Sequence, residues 1–259
     1  MIAALSELTD IGADFLLIFG LVFLRTGGAM ALLPAFGEMM VPARVRLALG
    51  LAFAAVVTPA ASSGLEAALA AGNPILEVAL LEMLAGLVLG FALRILIFVL
   101  QVAGTMAAQA TSLSQLLGGQ GVDPQPALGA ILVLAGLALA TMAGLHVRLA
   151  EMFIISYAAL PPGAVIDPAF LAEWGFALAD DMFRSAFALA MPFVLASMLY
   201  NLALGVINRA MPQLMVAFVG APAITWGALL LLALAAPAIL SVWIALLGGR
   251  LADPLGLPR

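Results

Sequence analysis

Uncharged polar side chains recur at helical spacing near the middle of the chain. Gln101, Thr105, Gln109 and Ser112 stand four, four and three residues apart, so they share one face of a predicted helix. Further uncharged residues follow in the same stretch, polar ones at Ser114, Gln115 and Gln120 and flexible glycines at Gly118 and Gly119. Uncharged polar groups suit a surface that contacts water and polypeptides of varied sequence without selecting for an ion. Two interpretations stay open, a conduit lining with Met106 at a constriction, or interhelical hydrogen bonding followed by an ordinary loop.

Charged side chains interrupt the apolar stretches at a few points. Those inside predicted helices are Arg25, Glu77, Glu82 and Arg94. They could form compensating pairs within a bundle, or they could relay protons. The charges are few and balanced, and no chain of acids appears, which favours pairing. Asp180 and Arg184 stand four residues apart and are predicted to share a helix face.

Enzymatic chemistry finds little support in the residue types. The chain has no Cys, its nine bases are all Arg, and its only His is His146. Thiolate nucleophiles, the P-loop lysine, Schiff bases and a two-histidine metal site are therefore excluded. We expect no enzymatic activity, no metal and no cofactor, and we interpret His146 as an interfacial histidine near the end of a span.

The composition is that of a membrane protein. Apolar residues make up 66% of the 259 positions, against roughly 45–50% in soluble domains. Charged residues make up 9%, and 14 acids with 9 bases cannot cover the surface of a soluble fold of this length. A formal net charge of −5 gives no basic footprint for nucleic acid. The first base is Arg25, so the N-terminus lacks the positive start of a removable signal peptide.

The apolar stretches predict an all-α polytopic membrane protein with about six long, partly kinked hydrophobic helices. The predicted segments are 15–33, 47–61, 75–102, 128–145, 185–208 and 210–249, and the fourth can continue towards residue 160. Several are too long or too broken for simple lipid-facing spans, which indicates burial in protein or along a cavity. Gly86 and Gly90 form a G-x-x-x-G pattern that permits close helix packing.

The distribution of arginines predicts the orientation. Arg44, Arg46 and Arg209 are expected in cytoplasmic turns. The acidic or uncharged segments 62–74 and 161–173 then face outward as loops, and both termini lie outside.

Two stretches carry a family resemblance. Residues 41–50 read V-P-A-R-V-R-L-A-L-G, a short basic turn that runs into an apolar helix. Residues 201–214 read N-L-A-L-G-V-I-N-R-A-M-P-Q-L, a helix end followed by a basic turn closed by proline. Together with the segment 109–124, these stretches resemble the FliR/SctT family of type III secretion export-gate subunits. The resemblance covers essentially the whole chain in length, span count and order of landmarks.

The resemblance implies a structural, pore-forming subunit of the flagellar export gate in the bacterial inner membrane, at the flagellar basal body. Family members assemble with FliP and FliQ subunits, FlhB and FlhA join at the cytoplasmic side, and unfolded flagellar proteins pass through the centre. By analogy, residues 1–173 are the FliP-like part and residues 174–259 the FliQ-like hairpin. The plug loop corresponds to residues 104–124, of which residues 106–120 are expected to occlude the closed pore. The expected turns at the cytoplasmic entrance contain Arg44, Arg46, Asn208, Arg209, Pro212 and Gln213.

Two other function classes remain as alternatives. A six-span permease subunit of a small-molecule importer has a similar size, but it requires a defined substrate site, often built on paired repeats. No convincing internal repeat and no substrate-selective charge cluster appears in the sequence. An intramembrane enzyme lacks its nucleophile and metal motifs. The residues of the 201–214 motif favour a flagellar over a virulence-type secretion system.

Overall fold

The computed structural model of the chain describes residues 2–38, 41–111, 127–211 and 216–256, and within these ranges the regular structure is helical. The helices are α1 (Ile2–Met30), α2 (Ala43–Ala70), α3 (Ile75–Thr111), α4 (Ala127–Met142), α5 (Leu145–Ala159), α6 (Pro168–Ala210) and α7 (Val216–Ala252). The start of α6 shows why a helix begins there. The Ala169 N–H donates to Asp167 Oδ1 at 3.0 Å, and Pro168 occupies the first position, where its missing N–H leaves no helical bond unmade.

The number of membrane spans agrees with the prediction of about six. Among the described residues, five helices are long and apolar enough to cross a membrane, and the count rises to six if α4 and α5 form one broken span. These two helices meet at a bend of 75°. Gly144 lies at this break with φ of 78°, in the left-handed region that glycine adopts without strain.

The predicted outward loop at residues 62–74 is mostly helical, because the buried face of α2 continues through it. The residues of this face recur every three or four positions: Ala54, Val57, Ala61, Leu65 and Ala68. Ser62, Ser63 and Gly64 had suggested a loop, but burial on the opposite face outweighs their weak helix propensity. The connection between α2 and α3 is therefore only residues 71–74.

Helix α3 also extends beyond its predicted end at Val102. Ala103 and Ala107 are buried, so the packed face continues past Val102, and the helix itself runs to Thr111. Residues 104–111, the first part of the predicted plug loop, are accordingly helical.

The last two helices are longer than, or offset from, the predicted segments. Helix α6 begins at Pro168 rather than Ser185, and the predicted turn at 208–213 begins later, because α6 continues to Ala210. Helix α7 runs from Val216 to Ala252 without interruption. The kinks predicted for the long helices stay a prediction for α7.

The chain divides into two units. The first comprises Met1–Arg94, Thr141–Ala177 and Leu247–Arg259, and the second comprises Ile95–Ala140 and Leu178–Leu246. The predicted division into residues 1–173 and 174–259 rests on the family resemblance and stays a prediction.

Glycines on α3 let α1 pack against it within the first unit. A Cβ added at Gly86 would collide with the Arg25 carbonyl oxygen, and one at Gly90 would lie 2.7 Å from the Ala29 oxygen. A Cβ added at Gly28 on α1 would lie 2.9 Å from the Met83 carbonyl oxygen. The G-x-x-x-G pattern thus has the packing role predicted for it, and it brings the backbones of α1 and α3 into direct contact.

Candidate functional site

The predicted polar stripe lies on the second half of α3. Gln101, Thr105 and Gln109 share one face of this helix, as their spacing requires. Gln101 and Thr105 are half-buried, Gln109 is exposed, and the neighbouring Met106 is half-buried. The Thr105 hydroxyl donates to the Gln101 carbonyl oxygen at 2.8 Å, so it is satisfied within its own helix. The stripe thus presents a partly accessible amide surface, and its pore-lining role stays a prediction.

The remaining predicted plug residues lie outside the described residues. They are Ser112, Gln115, Gly118, Gly119 and Gln120.

A glycine contact fixes the two helices that flank residues 112–126. A Cβ added at Gly104 on α3 would collide with Gly129 Cα on α4 and would lie 2.6 Å from the Gly129 nitrogen. Because both obstacles are backbone atoms, a larger residue at position 104 would force the helices apart. From the sequence alone, Gly104 was only the first residue of the predicted plug loop.

Trp243 of α7 also lies in the second unit, where it packs against α3 and α4. Its side chain is fully buried, and its indole N–H donates to the Leu96 carbonyl oxygen of α3 at 2.8 Å. On α4, a Cβ added at Gly136 would lie 3.4 Å from the Trp243 ring. The flat indole therefore packs against α4 at a position without a side chain. This packing restricts movement between α3, α4 and α7 in the part of α3 that precedes the polar stripe.

The predicted basic turn after α1 divides into a structural and an accessible arginine. Arg46 Nη2 donates to the carbonyl oxygens of Glu38 at 3.1 Å and Val41 at 3.3 Å, so it closes the turn. Arg44 is exposed. Arg44 is therefore the better candidate for contact with headgroups or with another protein, and its cytoplasmic position stays a prediction.

The second predicted entrance turn lies at the end of α6. Asn208 and Arg209 are exposed in the last helical turn, where an arginine also complements the helix dipole. Pro212 and Gln213 lie outside the described residues.

The most enclosed polar cluster joins α1, α3 and α5. Arg25 Nε lies 2.7 Å from Glu82 Oε2, and Arg25 Nη2 lies 2.8 Å from Glu82 Oε1, a bidentate pair in which each side chain is 1% exposed. Arg25 Nη1 donates to Ser156 Oγ at 3.1 Å, and Nη2 also donates to the Leu160 carbonyl oxygen at 2.9 Å. The Tyr157 hydroxyl donates to Glu82 Oε2 at 3.1 Å.

The aromatic ring of Tyr157 completes this cluster. The Arg25 guanidinium carbon lies 3.7 Å from the ring centroid, a cation–π contact. Both carboxylate oxygens and all three guanidinium nitrogens therefore have partners. These contacts fit charge compensation, whereas the preference over proton transfer stays a prediction. Removing one partner of such a pair costs about 3–5 kcal/mol.

The other predicted charges have different outcomes. Arg94 Nη1 pairs with Glu38 Oε1 at 2.6 Å, and Glu38 is an acid that the sequence analysis had not considered as a partner. Glu77 is exposed in the first turn of α3, where a carboxylate complements the helix dipole. The predicted Asp180–Arg184 pair forms at 2.7 Å on an exposed face of α6.

Comparison with known proteins identifies a family and several relatives to which this chain is similar. The sequence model of the family described as "Bacterial export proteins, family 1" matches residues 16–249. The chain is 28% identical over 231 residues to the flagellar biosynthetic protein FliR of Caulobacter vibrioides, covering 87% of this chain and 91% of that protein. Proteins of the same name from Aquifex aeolicus and Bacillus subtilis are also 28% identical, over 241 and 218 residues, and cover 87% and 81% of this chain.

The class of protein follows from these observations together. Long apolar helices, buried charges in neutral pairs and backbone-to-backbone glycine contacts define a polytopic α-helical membrane protein. The family match covers most of the chain, and the chain belongs to the bacterial export proteins, family 1.

Proposed function

We propose that this chain is a structural subunit of the flagellar type III export gate in the bacterial inner membrane, where it helps to form and seal the channel for unfolded flagellar proteins. The family match and three relatives named flagellar biosynthetic protein FliR support the flagellar export role. The role is one of architecture rather than catalysis. Neither the family nor these relatives support the permease alternative.

The apolar surface of α6 is the main structural support for the proposal that the chain assembles into a larger complex. Exposed large apolar side chains extend along this helix from Phe176 to Ile207, and Met211 follows just after its end. Thirty-five residues of helix rise about 53 Å, whereas the hydrocarbon core is about 30 Å thick. Even a tilt of about 40°, the upper end of the observed range, leaves roughly 40 Å along the bilayer normal. The exposed Asp180–Arg184 pair also lies in this stretch, so part of α6 extends beyond the hydrocarbon, and we propose that protein partners cover the apolar side chains there.

The uneven burial of the helices supports the same conclusion. In the apolar window of α3, 67% of residues are buried, against 22% in α6 and 17% in α7. From residue 201 to residue 211, every side chain except the half-buried Leu204 is exposed. Exposed apolar side chains on several faces of a helix are stable only against lipid or against other protein. We assign the enclosing surface to the FliP and FliQ subunits that the family resemblance implies, with FlhB and FlhA at the cytoplasmic side.

The sealing role is assigned to the polar stripe and the segment that follows it. The stripe offers uncharged amides on a helix fixed by glycine packing at Gly104. Residues 106–120 are the proposed plug. Deleting them from an assembled gate is expected to raise resting ion conductance, measured in planar bilayers, and an unchanged conductance would remove the sealing assignment.

A matched pair of substitutions tests the assembly. Leu202 on α6 is 65% exposed, and Val165 in the connection before α6 is 72% exposed. L202D places a charge on the proposed subunit-contacting surface, whereas V165D places the same charge at an equally exposed position in a predicted outward loop. Both are expressed with an affinity tag in cells that lack the native chain.

Two quantities are measured for these variants, the partner subunits recovered with the tag and the flagellar proteins exported to the medium. L202D is expected to lose both, and V165D is expected to retain both. Normal recovery and export with L202D would show that this part of α6 does not face a partner.

A further inference from the structure

The end of α5 is buried in the first unit, so its last carbonyl groups need polar partners. Leu160, the residue that caps this end, is buried with its φ at −126° and ψ at 81°, so the helix stops there. The last carbonyl groups of a helix lack intrahelical donors, and leaving them unpaired in an apolar environment is unfavourable.

Arg25 supplies the donor that this helix end lacks. Its Nη2 donates to the Leu160 carbonyl oxygen at 2.9 Å, although Arg25 precedes Leu160 by 135 positions and lies on α1. The positive charge also lies at the negative end of the α5 dipole. The same guanidinium is held by Glu82 of α3 and by Ser156, one turn before the end of α5.

We propose that Arg25 is a positioning residue, and that the latch formed by Arg25, Glu82, Ser156, Tyr157 and the Leu160 carbonyl determines where α5 ends and where the following connection runs. The latch is a conformational device built into the first unit, and it is independent of the proposed export function. Arg25 has the geometry for this because its planar fork bonds a carboxylate and a carbonyl at the same time. Glu82 neutralises the charge that this fork brings into the apolar interior.

The connection after α5 lies where a displacement can be measured. A Cβ added at Gly64, near the end of α2, would lie 3.5 Å from Pro162 Cγ. The Asn73 amide nitrogen, which donates to the Ala68 carbonyl at 3.0 Å, is 2.9 Å from a Cβ added at Gly163. The connection therefore rests against α2, and a loosened α5 end would draw it away.

Cysteine crosslinking reports this position directly, because the chain contains no native cysteine. The full-length chain with G64C and P162C is purified in detergent, and the rate of oxidative crosslinking is measured beside the thermal unfolding midpoint. Three further backgrounds are compared: R25M, R25K and the double variant R25M/E82M.

If the latch acts as proposed, the variants differ in their effects on thermal stability and on the position of the connection after α5. R25M leaves Glu82 charged and unpaired, so it is expected to lose both stability and crosslinking. R25M/E82M removes both charges and is expected to regain the unfolding midpoint of the parent, while it crosslinks about fivefold more slowly because the Leu160 carbonyl has lost its donor. R25K keeps a positive charge for Glu82 but loses the guanidinium fork. It is therefore expected to keep the unfolding midpoint of the parent and to crosslink more slowly.

Each result decides the proposal. Slow crosslinking with a near-parental midpoint, in each of R25M/E82M and R25K that folds, supports a positioning role. Crosslinking at the parental rate in either folded variant would show that the pair only compensates charge, and would overturn the proposal. If the double variant does not fold, R25K alone decides.

Discussion

Replacing Gly86 by alanine tests the packing that brings Arg25 to Glu82. A Cβ at this position would collide with the Arg25 carbonyl oxygen, and it would lie only 2.8 Å from the Arg25 carbonyl carbon, whereas ordinary contact begins at 3.4 Å. Helix α1 must therefore move away by at least about 0.6 Å. The obstacle is backbone, so no change of side-chain rotamer relieves it.

This displacement also stretches the ion pair. Arg25 and Glu82 are held at 2.7 and 2.8 Å, and an extra 0.6 Å takes both contacts beyond the range of about 2.7–2.9 Å in which charge-assisted bonds are strong. Overpacking costs about 1–3 kcal/mol, and we take the upper value because the pair is weakened as well. Alanine recovers about 1 kcal/mol of helix propensity, which leaves a net loss of about 2 kcal/mol.

The assay is thermal unfolding of the purified chain in detergent. A loss of about 2 kcal/mol lowers the midpoint by about 4–8 °C in a chain of this size. G20A is the matched control, because Gly20 lies on the same α1 and a Cβ there meets nothing within 4 Å. Its midpoint is expected to stay unchanged or to rise slightly. If G86A unfolds at the temperature of the parent, the close α1–α3 contact does not hold the pair.

Three further substitutions probe the second unit and the exposed charges by the same assay. G104A meets the backbone of Gly129, so its midpoint should fall by about 4–8 °C, and an unchanged midpoint would contradict the close approach. W243F removes the buried bond to the Leu96 carbonyl and part of the ring volume; a loss of about 2 kcal/mol gives a similar fall, and parental stability would argue against the anchor role. R184A breaks an exposed pair, so its midpoint should stay within about 2 °C, and a large fall would show a structural role for that pair.

The buried ion pair was foreseeable from the sequence only in part. Two opposite charges in apolar helices must compensate each other, so pairing of Arg25 and Glu82 could be predicted from charge balance alone. Ser156, Tyr157 and Leu160 were missed because they join the pair from more than 130 positions beyond Arg25, and nothing in the local sequence marks them. Only the three-dimensional packing brings a helix end beside the guanidinium.

The helix boundaries show how tertiary packing overrides local composition. Serines and a glycine at positions 62–64 resemble a loop, and Gly104 resembles the start of one. In both places buried small or apolar side chains continue the helical face, and the glycine serves close contact with another backbone or ring instead of a turn. The partner of Arg94 was also not apparent, since Glu77 lies about 26 Å away along the same helix and only the turn after α1 brings Glu38 close.

The central claim is that this chain is an integral part of a multi-subunit export gate. The most direct test is mass spectrometry of the intact complex, purified in mild detergent through a tag on this chain. An export-gate subunit is expected as one copy together with several copies of two other helical membrane subunits, the FliP and FliQ proteins. Recovery of the chain alone, or together with an ATP-binding subunit, would contradict the account and favour a permease.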